Sequence, residues 1–249
     1  MTLRVTMIGN VGYSLVVDLL SVCILLFTTL CFERGDPPRR AWGLLCVMQS
    51  VNVIGLALRD QPGLAAYADY WMLPYGFVNL CLASGLIVFW VNGRASGLAP
   101  QWTVGWRVVA GGAIGGAALV AVSLLWSVFA RWGEADFAFT PLPFGEAVMA
   151  GTSAIADAIV FSCALLLARI FLPMAGGQIA RPYLLLTVSG LLYLVLDVFT
   201  VVYGADGMPE GVINSARYVF SAAEAGMLSA AVAHAAMVLR GRRRSRYAM

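Results

Sequence analysis

Residues 212–239 read VINSARYVFSAAEAGMLSAAVAHAAMVL and are apolar at most positions. This stretch is long enough for a helix to cross a bilayer core, which takes about 20 residues. Asn214, Arg217, Ser221 and Glu224 follow one another at spacings that place them on one face of such a helix. Because charged groups are costly in lipid, we expect this face to turn toward other helices.

The composition of the whole chain agrees with a membrane location. Of 249 residues, 61% are hydrophobic and 12% are charged, and the mean hydropathy is +0.83. A soluble domain has roughly 45–50% apolar and about 25% charged residues. The net charge of +3 is carried by short loops and a tail, which is not the basic surface of a nucleic-acid-binding protein.

Six further segments are apolar enough to be membrane helices, and short connections with proline or glycine separate them. These segments are 9–32, 41–58, 72–93, 104–130, 146–171 and 182–204. The sequence therefore predicts an all-α, multi-pass protein of the cell membrane, with seven transmembrane helices in residues 1–239 and a basic tail in residues 240–249. The second segment, 41–58, is the shortest of the seven. The sequence shows no internal repeat.

All 16 basic residues are arginines, and they are distributed unevenly between the two sets of alternating loops. One set, together with the tail, holds Arg34, Arg39, Arg40, Arg94, Arg107, Arg169, Arg181, Arg240, Arg242, Arg243, Arg244 and Arg246. By the positive-inside rule, the N-terminus is outside and the C-terminus is cytoplasmic. The tail would also lie favourably against anionic lipid headgroups.

Four carboxylates lie within the predicted helices, namely Asp18, Asp157, Asp197 and Glu224. Each costs about 2.5–3.5 kcal/mol in mid-membrane, so we expect all four to face the bundle interior or a wet cavity. Counted from the outer helix ends, Asp197 and Arg217 fall at similar depth. The sequence therefore predicts an ion pair between the sixth and seventh helices.

Two interpretations of these polar residues are open. The ion pair could only lock two helices together, or it could belong to an outward-facing polar site. The candidates for a ligand or proton site are Asp157, Asp197, Arg217, Ser221, Glu224, Asn79 and Asp18.

The fourth segment contains Gly111, Gly112, Gly115 and Gly116, which form two overlapping G-x-x-x-G patterns. Small residues at this spacing let helix backbones approach closely. They indicate either tight packing within the bundle or a contact with a second copy or another membrane protein.

Neither a metal nor an organic cofactor is expected. The five cysteines form no C-x-x-C pair and the only histidine is His234, whereas haem and zinc sites usually need several such ligands. Residues 66–71 (AYADYW) and 196–198 (LDV) are similar to motifs of microbial rhodopsins. However, a retinal Schiff base requires a lysine, and the chain has none. No catalytic residues are identified, and a non-enzymatic role is expected.

A broader likeness covers most of the chain. Residues 39–42 (RRAW), 135–137 (ADF), 181–183 (RPY), 191–203 and 225–228 (AGML) carry it. The chain resembles actinobacterial seven-helix integral membrane proteins that are labelled as transporters or regulators. This resemblance implies the seven-helix fold but no established activity.

Three functions are compatible with these features. The first is a non-enzymatic binding or sensor-like module with an outward-facing polar pocket between helices six and seven. The second is a small-solute or proton-coupled transporter that uses Asp157, Asp197 and Glu224 as titratable sites. The third is an accessory subunit that joins a membrane-protein partner, or a second copy, through helix four. The expected partners are the lipid bilayer and such a protein, and no nucleic acid.

Overall fold

The computed structural model describes residues 11–59, 73–133, 144–203 and 209–247, and within these ranges it is helical without strands. It contains seven α-helices and a short 3-10 helix at Leu172–Met174. The α-helices are α1 (Val11–Leu30), α2 (Pro37–Arg59), α3 (Leu73–Ala95), α4 (Val104–Gly133), α5 (Phe144–Phe171), α6 (Ala180–Tyr203) and α7 (Glu210–Tyr247). The predicted all-α class is confirmed.

Most helix ends lie within a few residues of the predicted ones. Helix α2 begins earlier, at Pro37 and Pro38, because proline lacks the amide that the first turn of a helix leaves unused. Helix α7 continues through the arginines to Tyr247. The basic tail is therefore a direct extension of α7 up to that residue.

Five of the described helices, α3 to α7, are long and apolar enough to cross a membrane. Helix α1 contributes a shorter apolar stretch, Leu15–Leu30. Helix α2 carries Arg39, Arg40, Gln49 and Asn52 within its length, which lowers its hydropathy. Membrane crossings by α1 and α2 stay predictions from the sequence.

Six helices form a closed ring. The neighbours in order are α1, α2, α3, α5, α6 and α7, and α7 packs back against α1. Helices α3 and α5 are parallel, because Gly76 lies near Thr152 at one end and Gly93 lies near Phe171 at the other. The ring thus contains two three-helix units, α1–α3 and α5–α7. In each unit the first and third helices run one way along the bundle and the second runs the other way.

Helix α4 lies outside the ring and packs on α5 and the edge of α6. Its inner face is made of small residues, which are Ala110, Ala117, Ala121 and Val128. Leu125 of α4 approaches Gly151 of α5. Large apolar residues on the other side, such as Leu119 and Trp126, are exposed, as lipid-facing side chains would be.

Helix α6 is held closely between its two ring neighbours. A Cβ atom added to Gly190 would lie only 2.7 Å from the Cβ of Ala164 on α5. On the side of α7, Ser189 donates a 2.6 Å hydrogen bond from Oγ to the carbonyl of Ala223. These contacts fix how α5, α6 and α7 are aligned along their lengths.

One end of the bundle collects the arginine-bearing helix ends, and we call it the arginine-rich end. Here the Arg39 guanidinium donates to the Phe32 carbonyl at 3.1 Å. Arg242 lies 4.0 Å from the carboxylate of Glu33. The loops that the sequence assigns to one side of the membrane therefore do come together. We call the other end of the bundle the opposite end.

Candidate functional site

Six rings fill the centre of the bundle near the arginine-rich end, and we call them the aromatic layer. Each belongs to, or directly follows, a different helix of the ring. The members are Phe32, Trp42, Phe89, Phe171, Tyr183 and His234, and all are buried. Phe171 and Tyr183 stack with ring centroids 3.9 Å apart.

His234 is at the centre of the aromatic layer. Its ring centroid lies 4.8 Å from that of Phe32 and 5.3 Å from that of Tyr183. Trp42 donates a hydrogen bond from Nε1 to Nδ1 of His234 at 3.1 Å. Because Nδ1 accepts this bond, the histidine is neutral with its proton on Nε2.

No pattern in the sequence indicated these contacts of His234. Trp42 and His234 are 192 residues apart in the chain, so their pairing depends on the closure of the ring, which brings both side chains into one interior. Only a periodic pattern of buried positions on both α2 and α7 could have suggested that Trp42 and His234 face the same interior.

A second set of side chains, which we call the polar layer, lies farther toward the opposite end. Every helix of the ring contributes at least one member. On each helix, the polar residue comes nearer to the opposite end than the aromatic one does. The members are Asp18, Gln49, Asn79, Asp157, Asp197, Arg217 and Glu224.

Between α1 and α2, the polar layer contains a carboxylate–amide pair. Gln49 donates from Nε2 to Oδ1 of Asp18 at 2.9 Å. Gln49 is only 2% exposed, and its Oε1 has no hydrogen-bond partner among the described residues. Asp18 was a predicted site residue, whereas Gln49 was missed because a lone glutamine in an apolar run carries no spacing signal.

Asn79 on α3 faces the neighbouring helix α5. It is 1% exposed, and its amide nitrogen lies 3.5 Å from the carbonyl of Met149. This contact joins α3 to α5 at Met149, about two helical turns from Asp157.

Between α5 and α6, Asp157 and Asp197 lie at the same depth on the surfaces that the two helices turn toward each other. Asp157 and Asp197 each lie two helical turns from the Ala164–Gly190 contact, in the direction of the opposite end. Residues two turns apart share a helix face, so both side chains are on the facing surfaces of these antiparallel helices. Asp157 is 2% exposed and accepts a 3.1 Å hydrogen bond from Ser153.

Between α6 and α7, two contacts set the alignment. One is the Ser189–Ala223 hydrogen bond, and the other is the Tyr193–Phe220 ring contact at 6.2 Å. Continuing this antiparallel pairing by one more turn brings Asp197 level with Arg217. The two residues therefore share a depth, and the ion pair between them stays a prediction.

The polar stripe predicted on α7 turns inward only in part. Arg217 and Glu224 are half-buried, whereas Asn214 and Ser221 are exposed. The reason is that the buried face of α7 is centred on small residues, which are Ala216, Ala223, Ala230 and Ala231. Arg217 and Glu224 flank this face, and the other two lie farther around the helix. The prediction that all four face the interior is wrong.

The predicted glycine contacts within the bundle are also absent from the described structure. Gly111, Gly112, Gly115 and Gly116 are all exposed, and a Cβ atom at any of them would meet nothing within 4 Å. Helix α4 uses its alanine face for internal packing instead. A contact of these glycines with a second copy or another protein stays a prediction.

The cysteines are free thiols rather than parts of a site. Cys31, Cys81 and Cys163 are buried, whereas Cys23 is exposed. Among the described residues, no group of three or more His, Cys, Asp or Glu side chains could hold a metal ion.

Comparisons with known proteins add no assignment. The chain matches no protein-family model, no curated protein and no solved structure. Residues 66–71 and 135–137, on which part of the predicted resemblances depends, lie outside the described residues.

Proposed function

We propose that this chain is a non-enzymatic, sensor-like binding module of the membrane. Its ligand is a small cation, such as a primary ammonium compound, which enters from the opposite end and binds at the polar layer. The observation that carries this proposal is that Asp157 and Asp197 lie at the same depth on the adjoining surfaces of α5 and α6, and that Asp197 is level with Arg217.

The charges of the polar layer favour a cationic ligand. Helices α5 to α7 contribute three carboxyl groups, Asp157, Asp197 and Glu224, and one guanidinium, Arg217. Like charges repel strongly where the effective dielectric constant is low. A cation or a proton between the carboxyl groups would relieve this repulsion, whereas an anion would add to it.

The aromatic layer supports binding from one side only. Its six buried rings close the ring of helices between the polar layer and the arginine-rich end. If that end is cytoplasmic, as the positive-inside rule predicts, the polar layer lies on the outer side of the aromatic layer. A ligand could then alter the helix packing that reaches the basic extension of α7.

The proposal can be tested with the purified full chain in lipid nanodiscs. We expect methylammonium to raise the melting temperature, and acetate and glycerol to have no effect. Asp157→Asn and Asp197→Asn should each weaken the methylammonium effect. Asp36→Asn is the control, because Asp36 lies in the loop between α1 and α2 at the arginine-rich end.

Stabilisation by acetate instead of methylammonium would contradict a cation site. Flux measurements in proteoliposomes then separate binding from transport. Uptake of methylammonium that is driven by a pH gradient and lost in Glu224→Gln would favour the transporter. Saturable binding without uptake would favour the binding module.

An accessory-subunit role has one observation in its favour, which is the open glycine face of α4. Close helix contacts in membranes use such small residues. Gly115→Leu should then reduce crosslinking to a second copy or a partner without lowering the melting temperature of the isolated chain. Unchanged crosslinking would argue against this role.

A further inference from the structure

Arg169 is a buried cation near the end of α5. It is 5% exposed, and it donates from Nη2 to the carbonyl of Pro100. Its guanidinium carbon lies 3.8 Å from the ring centroid of Trp102. Arg169 therefore fastens the loop between α3 and α4 to α5, while its Nε has no hydrogen-bond partner among the described residues.

No carboxylate compensates this charge in the described structure. Arginine stays protonated in proteins, and burial of an ion without a counter-charge is strongly unfavourable. The sequence has no acidic residue between Asp69 and Glu134, or between Asp157 and Asp197. At the same end of the bundle, Glu33 lies near Arg242 and Asp36 accepts from the Glu33 amide.

The start of α4 lies directly after this loop and adds positive potential. Thr103 caps the helix, because its Oγ1 accepts from the amide of Trp106 at 3.2 Å. The amides of Val104 and Gly105 belong to the first turn, which has no acceptor within the helix. The positive end of the helix dipole is thus next to a buried guanidinium, and an anion would stabilise both.

We propose that this region, the α4 corner, binds the phosphate of an anionic phospholipid. The α4 corner consists of Arg169, Trp102, Arg107 and the amides of Val104 and Gly105. Guanidinium groups and helix N-terminal amides are the donors that phosphate groups bind in proteins.

The surroundings of the α4 corner fit a lipid better than a free ion. Trp102 is 42% exposed, and tryptophan side chains at helix ends lie at the headgroup level. Val104 and Val108 continue along α4 as exposed apolar residues, where acyl chains would run. A phospholipid supplies both the phosphate and these chains.

This site is separate from the proposed ligand site. The α4 corner is at the arginine-rich end and contains no member of the polar layer, so either proposal can fail without the other.

The experiment compares the full chain in nanodiscs of phosphatidylcholine and phosphatidylglycerol. We expect a higher melting temperature in phosphatidylglycerol, and native mass spectrometry should show phosphatidylglycerol retained after transfer to detergent. Arg169→Gln and Arg107→Gln should each reduce this retention about fivefold, the effect of one basic residue near an anionic membrane surface.

Two further variants make the test specific. Val104→Pro removes one first-turn amide but keeps the helix, since proline is favoured at that position; it should also reduce retention. Arg131→Gln, at the other end of α4, is the matched control and should leave retention unchanged. If Arg169→Gln fails to fold, Val104→Pro and Arg107→Gln decide the question.

Three results would overturn the proposal. The first is equal stability and equal retention in the two lipids, and the second is an equal loss in Arg131→Gln. The third is an inorganic-phosphate effect in phosphatidylcholine nanodiscs that matches the phosphatidylglycerol effect, since the ligand would then be free phosphate.

Discussion

The indole of Trp42 and the imidazole of His234 form a 3.1 Å hydrogen bond that joins α2 to α7 across the interior of the ring. Both side chains are almost fully buried. A polar contact in such a position holds two helices in one alignment. If one helix shifted along the other, each buried partner would lose its hydrogen bond.

His234→Phe should therefore destabilise the fold. The Trp42 N–H would lose its acceptor in a buried site, which costs about 1–3 kcal/mol. The free energy of unfolding by SDS in mixed micelles measures this loss. Trp42→Phe combined with His234→Phe should recover part of it, whereas a larger loss in the double variant would argue against the hydrogen bond.

Gly190→Ala should destabilise the α5–α6 contact. The new Cβ would lie 2.7 Å from the Ala164 side chain, and overpacking of this kind costs about 1–3 kcal/mol. Gly112→Ala is the matched control, since nothing lies within 4 Å of its Cβ position. The control should be neutral or stabilising by about 0.5–1 kcal/mol. Equal thermal shifts in the two variants would contradict the close approach of α5 and α6.

Gln49→Leu should cost about 1–3 kcal/mol, because Asp18 loses an amide donor inside the bundle. Asp18→Asn keeps an amide-compatible pair and should be close to neutral. Thermal unfolding in nanodiscs compares the two variants. A neutral Gln49→Leu would show that Asp18 does not need this donor.

Asp197 and Arg217 should be energetically coupled, because the alignment of α6 and α7 brings them level. A double-mutant cycle with Asp197→Asn and Arg217→Gln should give a coupling of about 0.5–3 kcal/mol. The control is the same cycle with Asp36→Asn in place of Asp197→Asn. The stability effects of Asp36→Asn and Arg217→Gln should be additive. Additivity of Asp197→Asn with Arg217→Gln would place the two side chains apart.

The helices were predictable because long apolar runs and short proline-containing connections specify them locally. The shared depth of Asp197 and Arg217 was also predictable, since antiparallel neighbours joined by a short loop align from their common end. Both inferences need only distances along the chain and the rise of a helix.

The rest depends on which helices become neighbours. Helix spacing groups Ser221 with Glu224, but whether that face is covered is decided by the alanine face that α7 presents to the ring. The glycines of α4 do not pack within the bundle, for a related reason. Helix α4 lies outside the ring and needs only one packed face, and its alanines form that face. Gln49 and His234 gain their partners from other helices, which no local pattern indicates.

Helix α4 has a further consequence for the direction of the helices that follow it. Because α4 runs back along the bundle between α3 and α5, the second three-helix unit starts from the same end of the bundle as the first. With α4 deleted and its flanking loops joined, α5 would run antiparallel to α3. The ring could then not close with its present neighbours. Helix α4 contributes least to the interior, yet the arrangement of the interior depends on it, because it sets the direction of α5 relative to α3.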